Sequence, residues 1–193
     1  MLASTSVEEV HTAATVMLRP GDDTPPPLAW GITDLEPKML RGVFGSYPTG
    51  VAIVATRTPD GRAVGLTINS FASLSLDPPL VLWSLVGHSP NLAAFRECEH
   101  FTINVLASNQ EELARRFASS KVLDKFADAP VLETPEGIPA IEGAVATLVC
   151  ANHQQSEAGD HILLFGRVLR VASTAGTPLV FHAGRFTALS IEQ

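Results

Sequence analysis

Charge, cysteine and long apolar runs are all scarce in this chain of 193 residues, and each shortage removes a class of function. Charged residues make up 17% of it, against roughly 25% in an average globular chain. With 46% hydrophobic residues beside that, a mainly disordered protein is excluded and one real core can form. Positive charge is shortest: 13 Lys and Arg face 20 Asp and Glu, a formal net charge of -7. No basic run exceeds Arg115-Arg116, so a nucleic-acid phosphate backbone has nothing to grip. Cys98 and Cys150 are too few for a disulfide framework, and no Cys-x-x-Cys or Cys/His cluster is present to hold zinc or another metal. Cys150 sits among apolar residues, and both read as buried free thiols. The apolar stretch Leu80–Val86 falls far short of a membrane span. Near the N-terminus, Glu8, Glu9 and His11 stand where a signal peptide would be continuously apolar. The chain reads as a cytoplasmic protein of one domain with an appendage.

Common catalytic signatures are missing too. There is no Gly-x-Gly-x-x-Gly after a strand, no Gly-x-x-x-x-Gly-Lys-Ser/Thr, no Gly-x-Ser-x-Gly and no His-Glu-x-x-His. Rossmann dinucleotide binding, P-loop phosphoryl transfer, lipase-type acyl transfer and zincin chemistry lose their usual support.

What is present divides near residue 33. Pro25-Pro26-Pro27, within 19–30, cannot donate to a ladder or continue a helix, so this stretch is an extended linker. Before it, Ser6-x-x-Glu9 has the form of a capping box, and Val7, Val10, Ala14, Met17 and Leu18 follow at helical spacing over 7–18. Residues 1–33 are thus an extension, and 34–193 the domain. A second capping box, Thr33-x-x-Glu36, opens a helix with Met39, Leu40, Val43 and Phe44 as its stripe, closed by Gly45 and Pro48.

Strand signals dominate from there. The expected strands are Val51–Thr56, Ala63–Ile68, Ser70–Leu76, Leu80–Val86, Phe101–Leu106, Ala144–Cys150, Ile162–Val171 and Arg185–Ile191. Two helices interrupt them, one opened by Ser89-Pro90 and one by Ser108-x-x-Glu111. Residues 120–143 are weakly patterned and read as a long surface loop. Many strands with tight turns and few helices predict a mainly β fold, an antiparallel barrel with peripheral helices.

Three segments hold candidate chemistry. In Asn69-Ser-Phe-Ala-Ser-Leu-Ser75, strand alternation puts Asn69, Phe71, Ser73 and Ser75 on one face and Ser70, Ala72 and Leu74 on the other. That is either a half-buried strand showing small polar residues to water, or a groove whose short side chains let a flat ligand reach the backbone. Gly87-His88-Ser89 precedes a helix start, which either caps that helix or receives an anion. Gly159-Asp160-His161 makes a turn and sets His161 at a strand mouth, a surface histidine or a functional one.

In order along the chain, Phe44-x3-Pro48-Thr49-Gly50-Val51, Gly65-x-Thr67-x-Asn69-Ser-Phe71, Ser73-x-Ser75-x-Asp77-Pro-Pro-Leu80, Ser89, Phe101-x-Ile-Asn104, Gln110-x2-Leu113-Ala114-x2-Phe117-Ala118 and Gly159-Asp160-His161 resemble the flavin reductase-like family. The resemblance runs from about residue 35 to the C-terminus. It implies the flavin-binding split barrel, a homodimer, and a short-chain reductase that uses NADH or NADPH to reduce FMN or FAD for a partner monooxygenase.

By position, it puts Asn69, Ser70, Phe71, Ala72, Ser73 and Ser75 along the flavin ring and ribityl chain, with Gly87, His88 and Ser89 at the phosphate. Phe117 and Ala118 border the flavin, Pro48, Thr49 and Gly50 close one side, and Gly159, Asp160 and His161 meet the nicotinamide nucleotide. Arg185 is either a nucleotide contact or a solvated surface arginine. The cofactors carry the hydride from nicotinamide C4 to flavin N5, so His161, the catalytic candidate, receives a positioning or electrostatic role rather than that of a general acid. Two other readings stand beside this one: a split-barrel flavoenzyme that keeps its flavin and acts on another small molecule, and a non-catalytic flavin-binding module with the 7–18 arm as its docking element.

Overall fold

Strands buried on both faces read as continuous apolar runs, and strands with one wet face alternate; both kinds occur here. The computed structural model describes residues 35–189, so the arm at 7–18, the linker and the cap at Thr33 lie outside the described residues. The described residues from Lys38 onward form one compact unit.

Helix α1 (Pro37–Gly45) leads into a two-residue strand β1 (Thr49–Gly50) and then β2 (Ala52–Arg57), β3 (Ala63–Ile68), β4 (Ala72–Leu76) and β5 (Pro79–Val86). Helix α2 (Leu92–Glu97) precedes β6 (His100–Val105), and a 3-10 turn at Ser108–Gln110 runs into α3 (Glu111–Ala118). The short strands β7 (Val131–Glu133) and β8 (Pro139–Ile141) come next. The long hairpin β9 (Ala146–Ala158) and β10 (His161–Ser173) and the hairpin β11 (Leu179–His182) and β12 (Arg185–Ala188) complete the described elements.

Seven strands pair in the order β3-β2-β6-β9-β10-β5-β4, every pair antiparallel. The outermost strands, β3 and β4, are neighbours in sequence and joined by residues 69–71 alone. A linker that short keeps the strand ends within about 14 Å, so the sheet must curl round on itself. This is the expected antiparallel barrel, left split between β3 and β4.

Two clusters explain the patterns. Ala52 and Val54 of β2 join Trp83, Phe95, Phe101 and Leu164 inside the barrel, with the Trp83 and Phe95 rings edge to face at 5.0 Å. Val51 and Ile53, on the opposite face, pack with Leu106, Ala114, Phe117, Ile141 and Leu179. Covered on both sides, β2 has no wet face to mark with polar residues. In β10, register shifts between Phe165/Gly166 and Val168/Arg170 bend the hairpin. Gly166 makes room for the bend: a Cβ there would lie 2.6 Å from the Phe101 ring and 2.9 Å from Cys150 Cβ.

Four expectations need correction. The segment 120–143 is not a plain surface loop, because β7 and β8 pair within it and Pro139, Ala140 and Ile141 are buried. The fully buried Asn104 holds them: its amide nitrogen donates to Ile53 O and Thr102 Oγ1, both at 2.9 Å, and its oxygen accepts from Ile141 N at 2.9 Å. The second helix begins at Leu92 with Asn91 as N-cap, and Ser89 Oγ instead accepts from Asn91 N at 3.3 Å, closing a local turn. The third is preceded by the 3-10 turn, and Gln110 Oε1 accepts from Ala107 N at 3.0 Å where a Ser108 cap was expected. Finally, strand geometry starts only at Ala72, and a register shift between Ser73 and Ser75 interrupts the alternation expected along 69–76.

Candidate functional site

Ser70 shows how the split edge is made. Its Oγ accepts from Ser84 N at 3.0 Å, so the hydroxyl takes the place of a ladder carbonyl beside β5 before β4 begins. Phe71 turns inward against the barrel core. Ala72 and Ser73 are exposed and Ser75 half-buried along the outermost strand, where short side chains leave the backbone reachable.

Asn69, just past β3, stands in a small recess of about 160 Å³ with Val51, Thr67, Ala118, Phe181 and Phe186. Thr67 Oγ1 donates to Ala114 O at 2.7 Å and ties α3 to β3, which brings Ala118 to this recess. Phe117 does not face it: the ring is fully buried, edge-on to Phe126 at 4.9 Å. Thr49 and Gly50 pair with Phe181 and Val180, so β1 lies beside the same aromatic hairpin. The Thr49 hydroxyl is buried with no hydrogen-bond partner among the described residues. Pro48 is exposed next to it, and Arg185 is exposed at the start of β12, opposite His182.

The second group gathers at the far end of β5. His161 pairs with Val86, so the Gly159–His161 turn lies against Gly87–Ser89. Gly87 N donates to Asp160 O at 2.8 Å, and a Cβ on Gly87 would come within 3.4 Å of that oxygen. Gly159 takes a φ of +61°, the left-handed conformation the turn requires. The His161 ring nitrogen Nδ1 lies 2.7 Å from Asp160 Oδ1. The hydrogen bond from His161, then its charge, hold the Asp160 carboxyl below the usual carboxylate range, with a smaller contribution from His88. With Nδ1 turned to Asp160, Nε2 is the ring atom left for a ligand.

The structure therefore joins Asn69 and Ala118 in one recess, with Thr49 and Gly50 paired to the hairpin that lines it, and Gly87–Ser89 with Gly159–His161 in another place. Phe181 and Phe186 escaped the sequence reading. Their hairpin turns through Ala183 and Gly184, at φ +49° and +76°, and an Ala-Gly pair is a weaker turn signal than Asn-Gly.

The family model described as "Flavin reductase like domain" matches residues 44–190. The chain belongs to that family. A similar member is the FMN reductase (NADH) SmoA of Agrobacterium fabrum, 42% identical over 153 residues, which are 79% of this chain and 86% of that protein. The reductase subunit HsaB of a flavin-dependent monooxygenase from Rhodococcus jostii is 38% identical, over 80% of this chain and 79% of its own. Among solved members, an NADH:FAD oxidoreductase of Streptomyces globisporus, in complex with NAD and FAD fragments, superposes with a TM-score of 0.78 at 35% identity. That match covers 83% of this chain and 98% of the other. No helix among the described residues is long and apolar enough to cross a membrane.

Proposed function

We propose that this protein is a cytoplasmic NAD(P)H:flavin oxidoreductase that reduces FMN or FAD and releases the reduced flavin to a separate monooxygenase. The observation that carries this reading is the split edge in a chain of this family: short side chains at Ala72, Ser73 and Ser75, with Asn69 and Ala118 nearby. Such an edge suits a flat ring that bonds to backbone groups and rests on small residues.

The two nucleotides supply the redox chemistry, a hydride leaving C4 of the dihydronicotinamide for N5 of the flavin. The chain's task is to hold the reacting rings together and keep water out. In this reading Asn69–Ser75 take the flavin ring and ribityl chain, Pro48–Gly50 and Ala118 flank it, and Gly87–Ser89 receive its phosphate. His161, steered by Asp160, offers Nε2 to the nicotinamide nucleotide, and Arg185 lies in reach of a nucleotide tail.

A homodimer also fits. Helix α1 buries none of its residues, and Phe44, Tyr47 and Leu76 are 68%, 75% and 95% exposed. A second copy of the chain would cover them.

The test mixes purified protein with NADH or NADPH and added FMN or FAD, and follows nicotinamide absorbance. Flavin-dependent oxidation is the expected result. Bound flavin without turnover would instead point to an enzyme that retains its flavin, or to a binding module.

A further inference from the structure

The β11–β12 hairpin carries the aromatic wall of the recess beside Asn69, and the sheet secures that wall on one side only. β12 spans four residues and, among the described strands, pairs with β11 alone. A short edge strand with a single neighbour opens easily. Phe186 stands within it, half-buried and opposite Phe181, with the two ring centroids 5.4 Å apart.

Helix α3 steadies that ring. The guanidinium carbon of Arg115 lies over the Phe186 face, 4.9 Å from its centroid. Arg115 is itself aimed by Glu111, one turn earlier on the helix. Glu111 Oε1 accepts from Arg115 Nε at 2.9 Å and from Nη2 at 2.6 Å. The same helix is fixed to β3 where Thr67 Oγ1 donates to Ala114 O. Through Thr67 and Arg115, α3 thus holds β3 and β12, two of the elements that line the recess.

The recess measures about 160 Å³. That is about half of the roughly 300 Å³ at which pockets begin to hold a whole drug-sized ligand, so it takes the edge of a ring and not a nucleotide. Val51, Ile68, Ala118, Phe181 and Phe186 make that edge an apolar one. Glu111 balances the charge of Arg115, so the pair presents to a ligand a placed aromatic ring and not a free cation.

We propose that Arg115, aimed by Glu111, is a positioning residue for the flavin: it holds Phe186 against the ring of the bound flavin and sets affinity for that ring without touching it. The proposal rests on the reading of Asn69 and Ala118 as neighbours of the flavin.

The test measures dissociation constants of riboflavin, FMN and FAD by flavin fluorescence. The proteins are the wild type, Arg115→Met, Phe186→Leu, the double variant, and Arg115→Lys as the conservative replacement. All three flavins share the ring, so Arg115→Met should weaken each by the same factor, about two- to fivefold. Arg115→Lys should recover part of that loss, because an ammonium keeps the charge but not the planar fork that Glu111 holds. In turnover the loss should fall on the flavin KM and not on kcat, with the KM for NADH unmoved. The double variant should bind no more weakly than Phe186→Leu, because Arg115 acts through that ring. Losses confined to FMN and FAD would make Arg115 a phosphate contact and overturn the proposal. So would additive losses in the double variant, or unchanged constants in Arg115→Met. Thermal melts report folding, and should Phe186→Leu not fold, the comparison of the three flavins in Arg115→Met decides. If the wild type bound not even riboflavin, the flavin reductase reading itself would fall, and this inference with it.

Discussion

Replacing Asn104 tests how the barrel acquires its buried hairpin. The side chain is fully buried, and its two ends make four contacts: Ile53 O, Thr102 Oγ1, Ile141 N and, at 3.1 Å, Thr147 Oγ1. Asn104→Ala removes all of them and strands the Ile141 N–H, while the Ile53 carbonyl loses a side-chain donor. Orphaned buried backbone groups cost about 1–3 kcal/mol each, so the loss should be about 2–5 kcal/mol. Against a total stability of about 5–15 kcal/mol that is a large fraction, and Tm should fall by roughly 5–15 °C. Thr102 Oγ1 still donates to Pro139 O at 2.8 Å, so β8 loosens before the barrel fails.

Asn104→Asp separates the hydrogen-bond argument from the cavity. Its second oxygen would face Ile53 O and can serve there only when protonated. The folded pKa must therefore rise above the unfolded value of about 3.9. With the sign worked out, the variant keeps its stability below about pH 4 and loses it as pH rises through the folded pKa. Urea unfolding near pH 5 and pH 8 should show its deficit against the wild type growing with pH. A cost below about 1 kcal/mol for Asn104→Ala, or a pH-independent deficit for Asn104→Asp, would refute the network's role.

Three further outcomes follow from other parts of the molecule. His161→Ala should raise the KM for the nicotinamide nucleotide and leave flavin affinity alone; full activity at unchanged KM would remove His161 from the site. Burial pushes the Cys150 thiol up to about 12 and the Cys98 thiol above its ordinary value, so neither should react with iodoacetamide at neutral pH until urea unfolds the protein. Rapid native labelling of Cys150 would contradict its burial. Gly166→Ala should destabilise by about 1–3 kcal/mol, because its Cβ cannot fit against Phe101, and a neutral result in urea unfolding would show that the β10 bend relaxes freely.

Much of the barrel was legible because its signals are local. Ala63–Ile68 was bounded to the residue by its apolar run, which follows the turn residues Pro59-Asp60-Gly61. Leu80–Val86 was recognised from its apolar residues and found one residue longer, at Pro79. Val131–Glu133, Pro139–Ile141 and Leu179–His182 were not legible, because short strands have little periodicity and depend on distant partners. Pro139–Ile141 in particular is buried through Asn104 and Thr102, more than thirty residues earlier in the chain.

The candidate site divides in the same way. Asn69, the Ser89 turn and the Gly159–His161 turn stood out by residue type, since short polar side chains and glycine turns are chemical signals a sequence displays directly. Their grouping was not displayed. Pairing of His161 with Val86 brings residues more than seventy positions apart to one corner, and Thr67 bonding to Ala114 carries Ala118 to Asn69. Residue identity determined which chemistry this protein can offer and that its strands would form a barrel. Only the register of those strands and the closure of the sheet decided where that chemistry meets, because contact across a sheet depends on pairing between segments far apart in the chain.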